Sequence, residues 1–193
     1  MANWASVSYA LEGDPLTLQR IYRAIEDTKK NEESQRWEPD VMQTLFPDWD
    51  KTKGYLRGGI LEDSWRFDRH GTLRFNAEEA WGATDFHKLL EDSFPELKVY
   101  YSVEEQMEEV FFTNDVEGKY FPERFWCDTC IDGDYQSEYF VTEASMYAWL
   151  SKLTQGRITD AEDVEDFNQD YEEDGTDDEN FIHIFPITAQ EAA

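Results

Sequence analysis

Basic residues are scarce in this chain: 17 Lys and Arg stand against 44 Asp and Glu in 193 residues, a formal net charge of -27. That imbalance excludes general nucleic-acid binding, because phosphates are held by Lys and Arg. It predicts basic protein surfaces as partners, with no direct contact to nucleic acid. Cysteine is scarce too. Cys127 and Cys130 are the two present, too few for a disulfide framework and suited to a reducing compartment. No hydrophobic run approaches the roughly 20 residues of a membrane span. The opening Met1-Ala2-Asn3-Trp4-Ala5-Ser6 has neither the basic nor the apolar stretch of a secretory leader. These absences predict a cytoplasmic protein without membrane partners.

Apolar material is not lacking. Hydrophobic residues make up 40% of the chain and aromatics 16%, including seven Trp and thirteen Phe, which excludes a disordered polyelectrolyte and allows a sizeable core. From Trp4 to Leu11 the residues alternate, with Ala5, Val7, Tyr9 and Leu11 on one face, the period of a half-buried strand. Asp14-Pro15 then starts a helix lined by Leu18, Ile21, Tyr22 and Ile25. A polar connection over residues 30–53 holds one short apolar cluster, Val41, Leu45 and Phe46.

Runs 60–68 and 72–76, separated by Arg69-His70-Gly71, predict a hairpin. Thr84 or Asp85 caps a helix that stops at Pro95, and a strand follows over 97–103. A second hairpin is expected from runs 110–113 and 119–126. Thr142 then caps a helix ended by Gly156, Thr159 caps another to about Gln169, and the last strand is 181–187.

The order predicts an α+β fold with a ferredoxin-like βαββαβ core and an antiparallel sheet, extended by a C-terminal hairpin and helices. The expected division is a domain over 1–126 and an acidic helical extension over 127–193, packed on the same core and ending in a strand.

The opening Met-x-Asn-Trp, the turn Gly13-Asp14-Pro15, the segment Ala80-Trp81 through Phe94-Pro95-Glu96-Leu97, and the run from Tyr100 to Glu105 resemble a YubB-like family of plasmid- and phage-borne proteins with an N-terminal ferredoxin-like domain. The resemblance covers about the first 125 residues. It implies a fold and a mobile-element setting, and no active site.

The sharpest local feature is acidic. Asp160, Glu162, Asp163, Glu165, Asp166, Asp170, Glu172, Glu173, Asp174, Asp177, Asp178 and Glu179 follow one another with no Lys or Arg between them. Such a block is a candidate interaction surface. On a helix its charge density is comparable to that of duplex DNA, about one charge per 1.7 Å. The expectation is a non-enzymatic DNA mimic that occludes a basic site on a nucleic-acid-binding or host-defence protein. A solvated, solubilising face is the plainer reading of the same residues.

Calcium is the alternative. Asp170, Glu172, Asp174 and Gly175 hold positions one, three, five and six of an EF-hand-like loop that would run through Asp178. Position twelve is Phe181, where a bidentate Glu is needed. No other cofactor is expected, and an enzyme is a third alternative.

Cys127-Asp128-Thr129-Cys130 has the spacing of a redox dithiol or half a zinc site. Zinc needs two more ligands from His70, His87, His183 or carboxylates, and none is spaced as a motif. Residues 131–134 read as a turn and acidic neighbours raise a thiol pKa, so structural cysteines in a hairpin are expected. Arg66, Arg69, His70 and Arg74 form a basic island expected to pair with the chain's own acids. The tryptophans are expected in the core and at interfaces.

Overall fold

The computed structural model describes residues 3–30, 37–50, 52, 54–174 and 180–190, with backbone alone at 29 and 171–174. The described residues form a mixed α+β fold with five α-helices and two mostly antiparallel sheets. The chain divides into two compact units, Met1–Val116 with Gln190–Ala193, and Glu117–Ala189.

The first unit opens with β1 (Trp4–Glu12). The alternation read from sequence holds: Ala5, Val7, Tyr9 and Leu11 are buried. Asp14 caps α1 (Pro15–Lys30), its Oδ2 accepting from the backbone N–H groups of Leu16 and Thr17 at 3.0 and 3.0 Å. Leu18, Ile21 and Ile25 face the core. The apolar cluster in the polar connection is α2 (Glu38–Leu45), with Val41, Met42 and Leu45 buried.

Next come β2 (Gly58–Ile60), β3 (Arg66–Phe67), β4 (Leu73–Ala80), α3 (Phe86–Ser93), β5 (Lys98–Glu105) and β6 (Val110–Thr113). Strand order in this unit is β6-β5-β1-β4-β2, and β3 also pairs with β4. The first hairpin closes where expected. Asp68 N–H donates to the Thr72 carbonyl at 3.0 Å, and Gly71 holds φ +82°, a conformation glycine adopts without strain. The run 60–68 is broken, however, by a turn over 61–64, and Leu61 is 38% exposed. One sheet face packs on the helices. Tyr9 stacks on Phe75 at 4.7 Å and meets the edge of Phe86 at 6.2 Å in the centre of that core.

The second expected hairpin is not formed. β6 returns along β5, with Ser102 opposite Thr113, and residues 119–124 carry no strand. The aromatics after Gly118 instead lead into β7 (Phe125–Ile131), which pairs with β8 (Asp134–Phe140) on one side and β9 (Phe181–Pro186) on the other. Asp132 (φ 52°) and Gly133 (φ 79°) make the tight turn between β7 and β8, matching the twist of the flanking strands.

In α4 (Glu143–Leu153) the Thr142 side chain accepts from the Ser145 N–H, as its sequence predicts. α5 spans Ala161–Asp174. Cys127, Phe140, Met146, Leu150, Ile158, Val164, Phe167 and Ile182 form a core belonging to this unit. The acidic extension therefore has a core of its own, and its unit begins at Glu117, ahead of β7.

Candidate functional site

The acidic run acquires a definite form in α5. Val164 and Phe167, three apart, are buried and seat the helix on its core. Asn168 fixes it further: Nδ2 donates to the Ile182 carbonyl and Oδ1 accepts the Ile182 N–H, both at 2.9 Å. The opposite side carries Glu162, Glu165, Asp166 and Asp170, all exposed. At about 1.5 Å rise per residue the four carboxylates occupy about 12 Å. Across three intervals that is a mean spacing of about 4 Å, near the spacing of about 3.4 Å along one DNA strand.

Among the described residues none of these four makes an ion pair. Arg157, the nearest cation in sequence, lies over the Phe167 ring at 5.4 Å. Residues 117–189 hold nineteen acidic and four basic side chains, so the stripe sits in a field of its own sign.

Two of the expected partner-binding carboxylates are committed to the start of the helix. Asp160 Oδ1 accepts the Asp163 N–H at 3.1 Å, making Asp160 rather than Thr159 the capping acceptor. Asp163 Oδ2 accepts both the hydroxyl and the N–H of Thr159 at 2.7 Å, and these bonds hold its carboxyl below the ordinary value. Glu172, Glu173 and Asp174 extend the helix backbone. Asp177, Asp178 and Glu179 lie outside the described residues.

Part of the calcium loop falls within the described residues. Asp170, Glu172 and Asp174 lie in α5 rather than in a loop. Gly175 and Asp178 of that loop lie outside the described residues. Among the described residues no group of three or more His, Cys, Asp or Glu could hold a metal.

Cys127 and Cys130 are buried and free, three apart on β7, and hence on opposite faces of the strand. They cannot act as a redox pair from that arrangement. Burial and then the charge of Asp128 push the Cys127 thiol up to about 12, away from thiolate chemistry. Of the basic island, Arg74 pairs with Asp68 at 3.4 Å, and Arg69 Nε donates to His70 Nε2 at 2.9 Å.

A second polar cluster was not anticipated. β4 turns Leu73, Phe75, Ala77 and Glu79 inward, so the strand period carries a glutamate into the core, fully buried. Tyr9 Oη donates to Glu79 Oε1 at 2.6 Å, and the Thr84 N–H donates to Oε2 at 2.5 Å. Glu38, from the first turn of α2 and also fully buried, accepts from Thr84 Oγ1 at 2.9 Å through Oε2 and hydrogen bonds to Glu79.

Among the described residues Glu38 Oε1 has no hydrogen-bond partner. Burial, the neighbouring Glu79 carboxyl and the bond between the two push Glu38 well above the usual carboxylate range. A methyl at Gly58 would lie 2.6 Å from Glu38 Oε1 and 2.6 Å from Glu79 Cγ, which explains a glycine there.

His87 borders the group, its ring 4.5 Å from that of Tyr101, and burial lowers its pKa. The pair links β1, β4, α2 and the lead into α3 by hydrogen bonds. The clefts lined by Leu16, Arg20, Arg23 and Leu45 in the first unit, and by Ile131, Leu153, Arg157 and Phe167 in the second, contain none of its side chains. Its role on this geometry is to lock α2 to the sheet. The sequence does carry a signal for Glu79, as the next inward position after Leu73, Phe75 and Ala77. Glu38, just ahead of Pro39, reads as an ordinary solvated residue of a first helical turn.

No protein-family model, no curated protein and no solved structure matches the chain.

Proposed function

We propose that the protein is a non-enzymatic acidic binding protein whose α5 stripe occludes a basic site on a nucleic-acid-binding or host-defence protein, in the manner of a DNA mimic. The observation that carries this reading is the α5 arrangement. Val164, Phe167 and Asn168 hold the helix, while Glu162, Glu165, Asp166 and Asp170 stand exposed, with no ion pair among the described residues. A row of like charge on a helix that is already folded avoids the backbone ordering cost on binding, and it steers a cationic partner from a distance.

The first unit is read as a ferredoxin-like core. Its β5-β1-β4-β2 order, with α1 between β1 and β2 and α3 between β4 and β5, supports that arrangement. A mobile-element setting and YubB-like kinship rest on the resemblance of the opening residues and remain part of this proposal.

The test is affinity capture from host lysate at about 0.1 M and about 1 M salt, where the Debye length falls from about 10 to about 3 Å. A carboxylate-neutralised chain (E162Q, E165Q, D166N, D170N) is run in parallel. A nucleic-acid-binding protein retained at low salt, released at high salt and not held by the variant is the expected result. Retention that ignores both salt and the variant would refute the electrostatic mechanism.

A further inference from the structure

The face of the β7–β8–β9 sheet opposite its helices is built of rings. Strand register sets Trp126 between Tyr139 and Phe185, Asp128 between Ser137 and His183, and Cys130 between Tyr135 and Phe181. In an antiparallel sheet directly opposed residues share a face, so all nine lie on one side. Cys127, Phe140 and Ile182 occupy the other side, in the core.

The rings form a continuous series. Tyr139 meets Trp126 at 6.4 Å, Trp126 stacks on Phe185 at 4.9 Å, and Phe185 meets His183 at 6.1 Å. His183 stacks on Phe181 at 4.6 Å and 20°, and Phe181 meets Tyr135 at 6.2 Å. The series runs around three sides of Asp128 and Cys130. Both ends reach solvent, Tyr135 more than Tyr139 at 61% against 39% exposed, and His183 between them is exposed as well.

The charges around this face select its ligand. Asp128 lies at its centre, Asp132 and Asp134 at the adjoining turn, and the unit as a whole is strongly acidic. Flat rings on a sheet can stack nucleobases, but a base-stacking platform sits in positive surroundings that neutralise the phosphates. Here the phosphates would meet carboxylates. A cation gains twice, from the negative ring faces and from the acids. A planar guanidinium gains more than an ammonium, because it stacks as well.

We infer that this face is an anchoring site for an arginine side chain of a basic protein partner, seated on Tyr135, Phe181 and His183 beside Asp128. The inference rests on the reading of this protein as a binder of basic surfaces. It adds a short-range contact to the long-range attraction of α5.

The experiment is calorimetric titration of the full chain with blocked hexa-arginine, blocked hexa-lysine and a single-stranded oligonucleotide, at about 0.1 M and about 1 M salt. The variants are Tyr135→Ala with His183→Ala, both at exposed positions, and separately the four neutralising changes on α5. The expected result is that arginine binds about five- to tenfold tighter than lysine, with the ratio kept at high salt. The ratio falls to near one in the ring variant and survives in the α5 variant.

Equal affinity for the two peptides, both lost at high salt, overturns the arginine site and leaves the acidic stripe standing. Failure of both peptides to bind at low salt overturns the acidic-binder reading and this inference with it. Preferential binding of the oligonucleotide overturns the choice of ligand.

Discussion

Replacing Glu38 by Gln isolates one proton in the core and gives a prediction with a magnitude. Glu38 is fully buried against Glu79, and its carboxyl holds its proton well above the ordinary range because of burial and the neighbouring charge. In the unfolded chain the same group ionises near pH 4.3. Below that pH both states are protonated and the site contributes no pH dependence. Above it the unfolded state gains by losing a proton that the native state keeps.

Stability therefore falls with rising pH, by about 1.4 kcal/mol per unit, until the native group itself titrates. Gln has the same shape, can accept from Thr84 Oγ1 and donate to Glu79, and does not titrate. The stability of Glu38→Gln relative to the parent should accordingly be nearly level near pH 4. It should rise by about 1.4 kcal/mol per pH unit above pH 5, reaching about 2.7 kcal/mol between pH 5 and 7 if the native proton persists over that range. Urea unfolding followed by tryptophan fluorescence at fixed ionic strength measures the difference, and the carboxyls outside the Glu38–Glu79 pair cancel because both chains share them. A difference independent of pH from 4 to 7 would show that Glu38 is ionised in the folded protein, and the reasoning would fail.

Gly58→Ala places a methyl 2.6 Å from both carboxyl side chains; it should destabilise the first unit by about 1–3 kcal/mol, read as a lower urea midpoint with unchanged slope. Asn168→Ala removes both bonds to Ile182. A loss of about 1–3 kcal/mol is expected, with faster amide exchange along β9 and α5 and little change in the first unit. Cys127 and Cys130, buried and with the Cys127 thiol raised to about 12, should resist a thiol reagent at pH 8 in the native state and both react in urea; rapid native labelling would contradict their burial. Thr142→Ala removes the acceptor for the Ser145 N–H and should lower stability by about 1 kcal/mol.

Local chemistry was legible where one residue decides an outcome. Asp14 and Thr142 cap their helices as read, Gly71 and Gly133 take the turns, and Ala5 to Leu11 alternate into the core. Pairing was less legible, because a strand's partner depends on contacts distant in sequence. Val110–Thr113 has the same composition whether it turns forward to residues 119–126 or back to β5; a short 3-10 turn at Gln106–Glu108 sends it back.

The acidic run shows the same limit. Its composition revealed charge, while only the fold separates Asp160 and Asp163, engaged in capping, from the exposed Glu162, Glu165, Asp166 and Asp170. The Glu38–Glu79 pair joins residues forty-one positions apart, and no local pattern announces such a meeting. The ring series of the second sheet arises likewise from β9 lying beside β7 across two intervening helices.

The most direct test of the central claim is displacement. A captured nucleic-acid-binding partner is loaded with labelled duplex DNA, and the parent chain or the α5-neutralised variant is titrated in at about 0.1 M salt. The account predicts that the parent releases the DNA stoichiometrically while the variant needs at least about tenfold more, each neutralised carboxylate weakening a contact made in the partner's basic groove. Equal displacement by the two chains, or a ternary complex in which DNA and protein are bound together, would contradict it.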